Sequence, residues 1–118
     1  MKIFYNPSCS KCRTTLGLLH DREDGENEAL EVVEYLKEVP SIADLKDLLL
    51  KLGMRARGIV RDKEPVFLEN YAQLDLNDDE AVLKALVKHP ILIERPIVVR
   101  GDRAVIGRPP ENIEKLWE

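Results

Sequence analysis

The two cysteines of the chain, Cys9 and Cys12, lie in the stretch Tyr5-Asn6-Pro7-Ser8-Cys9-Ser10-Lys11-Cys12-Arg13. Thiols at this spacing serve as half of a zinc site, as a structural pair in a core, or as a reactive thiol with a neighbour near enough for a disulfide. Zinc is disfavoured because no further cysteine is present and the only histidines, His20 and His89, stand at no ligand-like spacing. Position argues against a purely structural pair. Lys2 to Tyr5 is a short apolar run that reads as a strand, and Ser10 to His20 reads as a helix, so Cys9 falls at a helix N-terminus. Unpaired N–H groups and the helix dipole favour a negative sulfur there, and the thiol is expected to ionise below the roughly 8.5 of a free cysteine. Lys11 and Arg13 add positive charge within a turn.

The whole chain bounds what this thiol can serve. With 118 residues it is read as one domain, long enough for a core without staples. An apolar content of 44% with 34% charged residues is that of a globular protein, and an aromatic content of 5% argues against a base-stacking surface. A net charge of -4 and a pI near 5.3 supply no basic field for nucleic acid. No apolar run approaches the roughly 18 residues of a membrane span, and the N-terminus has no signal-peptide pattern. A cytoplasmic protein is therefore expected, and in a reducing compartment a C-x-x-C is a working thiol site rather than a structural disulfide.

The elements that must hold Cys9 can be read in order. The first helix carries Cys12, Thr15, Leu16 and Leu19 on one face, and residues 21–28 form an acidic, glycine-containing loop. Leu30 to Leu36 reads as a second strand, and strand, helix, strand at this spacing implies a right-handed crossover between parallel strands. Ser41 opens a helix in a capping-box-like arrangement with Asp44, striped by Ile42, Leu45, Leu48, Leu49 and Leu52 and closed by Gly53. Met54 to Arg61 reads as a short helix or turn bearing Arg55, Arg57 and Arg61, and Pro65 to Leu76 has no decisive pattern. Asn77 is expected to cap a further helix, with Val82, Leu83, Leu86 and Val87 on its buried side and His89-Pro90 as its stop. Pro96 to Arg100 and Arg103 to Ile106 flank Gly101-Asp102, a hairpin turn, and Arg100-Gly101-Asp102 is read as that turn and not as an adhesion motif. Pro110 to Trp117 reads as a final helix. The expected fold is α/β, a thioredoxin-like (glutaredoxin-like) mixed four-stranded sheet in the order β-α-β, helical insertion at about 41–89, β-β-α, within a single domain 1–118.

Asn6-Pro7-Ser8-Cys9, the Arg61 region, His89 to Val99 and Gly107-Arg108-Pro109 occur in the order of a known family. The chain resembles the thioredoxin-fold arsenate reductases that are coupled to glutathione and glutaredoxin, together with the related Spx-type regulators. The resemblance implies Cys9 as the nucleophile on arsenic and Arg61, Arg95 and Arg108 as holders of the oxyanion, with Asn6, Ser8, Arg13 and Pro96 in support. Without it, each arginine would read as a solvated surface charge. Arg95-Pro96 resembles the cis-proline that thioredoxin folds set beside the active cysteine, and Arg108 sits on a stiff mount between Gly107 and two prolines.

Cys12 stands where these reductases commonly carry serine, which opens resolution through an internal Cys9–Cys12 disulfide, and Tyr5 stands where some have histidine. The C-x-x-C is also the pattern of Spx-type redox switches that bind RNA polymerase, so a regulator is one alternative. A general disulfide oxidoreductase, or a reductase of another small oxyanion, is another. The resemblance further implies no bound cofactor or metal, with arsenate as substrate, glutathione and glutaredoxin or thioredoxin as electron donors, a monomer, and neither nucleic acid nor membrane as partner.

Overall fold

A computed structural model describes residues 1–22 and 29–118, so most of the loop expected at 21–28 lies outside the described residues. The fold is thioredoxin-like. Its sheet consists of β1 (Lys2–Tyr5), β2 (Glu31–Glu34), β3 (Ile97–Arg100) and β4 (Arg103–Ile106) in the order β2-β1-β3-β4. β1 runs parallel to β2 and antiparallel to β3, and β3 pairs antiparallel with β4 through the two-residue turn Gly101-Asp102. The parallel pair follows from the intervening α1 (Ser10–His20), because parallel strands need a crossover and a helix supplies it.

The chain divides into two compact units, one of Met1–Glu38 with Arg95–Glu118 and one of Val39–Glu94. In the first, alternation along the strands sends Ile3 and Val98 to one face, where they meet Leu19 of α1 and Ile113 and Leu116 near the C-terminus. Burial of each such aliphatic side chain contributes roughly 1.5–3 kcal/mol. β2 stops at Glu34 instead of running to Leu36, because its neighbour β1 stops at Tyr5, opposite Glu34, and offers no further ladder. Val32 on this edge is exposed, while Tyr35, just past the strand end, is fully buried.

The last segment, Pro110–Trp117, is a 3-10 helix and not an α-helix. Its buried residues Pro110, Ile113 and Leu116 recur every third position, the period of a helix with 3.0 residues per turn. Trp117 ends it with two guanidinium groups over its ring, Arg22 at 3.6 Å and Arg100 at 4.8 Å from the ring centroid.

The second unit is helical. In α2 (Ile42–Leu52) the Ser41 hydroxyl accepts from Asp44 N at 3.1 Å and the Asp44 carboxylate accepts from Ser41 N at 3.0 Å, a complete capping box. Gly53 ends the helix at φ 69, a left-handed position that suits glycine. A 3-10 turn at Ala56–Ile59, α3 (Pro65–Asn70) and α4 (Asp79–Lys88) follow. α4 is capped by Asp78 and not by Asn77. Asp78 Oδ1 accepts from Ala81 N at 3.1 Å, whereas Asn77 N donates to Asp75 Oδ1 and the Asn77 side chain accepts from Arg57. After a 3-10 turn at Pro90–Leu92, Arg61 N bonds Leu92 O and Glu94 N bonds Ile59 O, both at 2.7 Å, which brings Arg61 beside Glu94. Among the described residues no helix is long and apolar enough to cross a membrane.

Replacing the exposed cap in Ser41→Ala leaves the Asp44 N–H at the start of α2 without its side-chain acceptor. Urea denaturation followed by circular dichroism should register a loss of about 1 kcal/mol.

Candidate active site

The sheet register brings the site together. Phe4 of β1 pairs with Ile97 of β3, and Ile97 with Ile106 of β4, so three connections leave the sheet at one end. They are the Asn6–Ser8 turn after β1, the Arg95-Pro96 entry to β3, and the Gly107-Arg108 exit from β4. Asn6 shapes the first: its Oδ1 accepts from Ser8 N at 3.0 Å and its backbone oxygen accepts from Cys9 N at 3.0 Å. The turn delivers Cys9 as the N-cap of α1, extended at φ -96 and ψ 120, and its carbonyl accepts the first helical bond from Arg13 N at 3.1 Å.

Arg108 is aimed from the other side. Gly107 N bonds Pro96 O at 2.8 Å, and Asn112 Nδ2 holds the loop by bonding Ile106 O at 3.1 Å and Arg108 O at 3.0 Å. Arg108 Nε donates to Arg95 O at 2.7 Å, which turns its Nη2 toward Cys9 Sγ at 3.5 Å. Glycine at 107 is a matter of space, since a Cβ there would stand 2.9 Å from Pro96 Cγ and 3.0 Å from Thr15 Oγ1. The Arg95–Pro96 bond is cis, as expected, and so is Arg108–Pro109.

These neighbours set the two thiols far apart. Burial pushes the Cys9 thiol up, but N–H groups of Cys12 and Lys11, the Cys12 thiol and the Arg95 guanidinium outweigh it and lower the pKa from 9.0 to about 7. The N–H groups face the sulfur without closing a hydrogen bond of normal geometry, so they act chiefly as the positive end of α1. Cys12 is fully buried, and burial together with the Cys9 sulfur raises its pKa to about 12. Cys9 is thus the thiolate and Cys12 the proton-bearing partner, both free of a disulfide. At pH 7 the shift of Cys9 raises its ionised fraction about fiftyfold, and the lower intrinsic nucleophilicity takes back about eightfold. The larger asset of the site is the positive charge fixed around the sulfur.

The first unit therefore gathers Asn6, Cys9, Cys12, Arg95, Pro96 and Arg108. Ser8 and Arg13 lie on its surface, with Arg13 Nη1 donating to Pro7 O at 2.9 Å. Arg61 belongs to the second unit, where its Nε donates to Glu64 at 3.0 Å and its Nη1 to Glu94 at 2.9 Å. The three residues line a cavity of about 320 Å³ with Val60, Asp62 and Lys63. Burial opposes the charge on Arg61, but the two carboxylates outweigh it and raise its pKa. Three contributors escaped the sequence reading. Asn112 carries no local signal; Gly107 reads in the sequence as a mount and not as a close contact; Tyr35 reads as an ordinary strand residue, although its place level with Asn6 follows once the β1–β2 register is assigned.

Comparison with known proteins places these features in a wider group. The model of the ArsC family matches residues 4–116. An arsenate reductase of Neisseria meningitidis serogroup A is 45% identical over 117 residues, covering 98% of this chain and 97% of that protein. An arsenate reductase of Haemophilus influenzae is 42% identical over 116 residues, covering 97% and 96%. The solved structure of an arsenate reductase from Vibrio cholerae superposes with a TM-score of 0.81 at 40% identity, covering 98% and 97%.

Iodoacetamide modification of Cys9, followed by mass spectrometry, should rise with pH through a midpoint near 7 and fall about tenfold for each pH unit well below it. Cys12→Ala removes a donor to the thiolate and should move that midpoint upward. Gly107→Ala should cost about 1–3 kcal/mol in thermal or urea unfolding, because Pro96 or Thr15 must yield to the new methyl group.

Proposed function

The chain belongs to the ArsC family, and on that premise we propose that it is an arsenate reductase that works through the Cys9 thiolate. The observation that carries this reading is the pairing of an ionisable sulfur with fixed guanidinium groups: Arg108 Nη2 lies 3.5 Å from Cys9 Sγ, and Arg95 favours the same negative charge. A thiolate attacking an anionic oxyanion must overcome charge repulsion. Guanidinium forks match the oxygens of a tetrahedral oxyanion, and each charge-assisted hydrogen bond is worth roughly 1.5–3 kcal/mol.

In the proposed sequence Cys9 Sγ attacks arsenic, an S–As bond forms, and one oxygen leaves as water after protonation. Arg95 and Arg108 hold the remaining oxygens. A second thiol then attacks Cys9 Sγ, the S–As bond breaks with its electron pair going to arsenic, and arsenite leaves behind a disulfide. Glutathione is the proposed second thiol, with glutaredoxin clearing the mixed disulfide, and the protein needs no bound cofactor for these steps. Arg61 enters the proposal through the family resemblance alone; in its own unit its guanidinium is engaged by Glu64 and Glu94. A second reading, a disulfide oxidoreductase, is favoured by the reduced Cys12 thiol beside Cys9, which offers internal resolution in place of glutathione.

Arsenite formation measured with glutathione, glutaredoxin and NADPH tests the proposal. Cys9→Ser should abolish turnover, and Arg108→Ala should lower kcat/KM about ten- to hundredfold. Activity retained in Cys12→Ser supports an external second thiol, and activity lost there supports the internal disulfide. A wild-type protein that makes no arsenite, while Cys9 still alkylates with a midpoint near 7, would transfer the assignment to the oxidoreductase reading.

A further inference from the structure

Tyr35 is among the largest fully buried side chains, at 0% exposure, and among the described residues its hydroxyl has no hydrogen-bond partner. The β1–β2 register ends with Tyr5 opposite Glu34, so Tyr35 follows β2 level with Asn6, at the end of the sheet where the Cys9 turn begins. The charged and ionisable groups near enough to act electrostatically on its hydroxyl are Arg95, Cys12 and Cys9. The Asn6 side chain also comes close, though not in hydrogen-bond geometry. A donor buried without an acceptor destabilises the resting protein, and its retention calls for a state in which an acceptor appears.

We propose that the Tyr35 hydroxyl is the hydrogen-bond donor that stabilises the Cys12 thiolate when Cys12 attacks a covalent adduct on Cys9. A thiol sulfur is a weak acceptor and a thiolate a strong one, so the bond is made chiefly in the reacting state, which is where it accelerates the step. In the resting site Cys9 carries the charge and Cys12 keeps its proton. Once Cys9 is bound covalently its charge is gone, and the attacking charge must move to Cys12. In that step the Cys12 proton passes to water and a bond forms between Cys12 Sγ and Cys9 Sγ. The bond from Cys9 Sγ to its adduct breaks, and its electron pair leaves with the departing group. Burial keeps the phenol protonated, with a pKa pushed up to about 12, so the donor is intact at neutral pH. This inference rests on Cys9 being the attacking thiol of the proposed function and not on arsenate being the substrate.

The test uses reduced protein mixed rapidly with dithiobis(nitrobenzoate), which releases a coloured thiolate twice. The first release reports attack by Cys9 on the reagent, and the second reports attack by Cys12 on the mixed disulfide. Cys12→Ser, which should lose the second release, identifies it. In Tyr35→Phe, which keeps the ring and removes only the hydroxyl, the ratio of second-phase to first-phase rate should fall about ten- to hundredfold. An unchanged ratio, or a wild-type protein with no second release, overturns the role of Tyr35. Both phases slowing together mark a structural disturbance and overturn it equally. Loss of the first release in the wild type would instead remove the Cys9 assignment itself, and arsenite formation reports separately on the substrate.

Discussion

A negative charge on Cys9 Sγ, a residue 8% exposed, has lost most of its water, and the first unit is built to replace that water with fixed positive charge. No single element does this. The start of α1 supplies backbone N–H groups, the entry to β3 supplies Arg95, and the exit from β4 supplies Arg108. They converge because β1 and β3 are antiparallel and β3 and β4 are antiparallel, so the end of one strand, the start of the next and the end of the third share one edge of the sheet. A slip of one residue in either pairing would turn these side chains to the other face of the sheet and leave the sulfur without compensation.

The same setting makes unequal partners of two chemically identical thiols. Cys9 caps the helix on whose first turn Cys12 stands, yet one ionises near neutrality and the other holds its proton to about 12. The difference arises from position: Cys9 precedes the helix and receives its N–H groups, whereas Cys12 lies on the buried face and next to the charge on Cys9. Separated pKa values of this kind make one thiol nucleophilic near neutrality and leave the other protonated there, although the two side chains are chemically the same.

Much of this was legible in the sequence where the determinants are local. The bounds of β1 and α1, the capping box of Ser41 with Asp44, the Gly53 terminus and the Gly101-Asp102 hairpin all depend on residues within a few positions of one another. The misses share a longer range. β2 is shorter than its apolar run because a partner strand ends, and Asp78 rather than Asn77 caps α4 because the Asn77 side chain is engaged by Arg57, 20 positions away. At the site, Cys9 could be singled out from its own neighbourhood, but Arg95 and Arg108 only through family resemblance. The 99 positions that separate Cys9 from Arg108 carry no local mark of their 3.5 Å contact. The Glu94 carboxylate on Arg61 was invisible for the same reason, since it lies 33 positions away.

The contact of Trp117 with Arg22 and Arg100 has an optical consequence. It is the only tryptophan of the chain, and all three residues belong to the first unit, so intrinsic fluorescence excited at the indole band is a private signal of that unit. Three of the four α-helices described belong to the second unit, so far-ultraviolet ellipticity is weighted toward that one. A single denaturation followed by both signals therefore reads the two units separately: coincident curves mean one cooperative transition, and divergent curves mean that the thiol-bearing unit and the helical unit melt on their own terms.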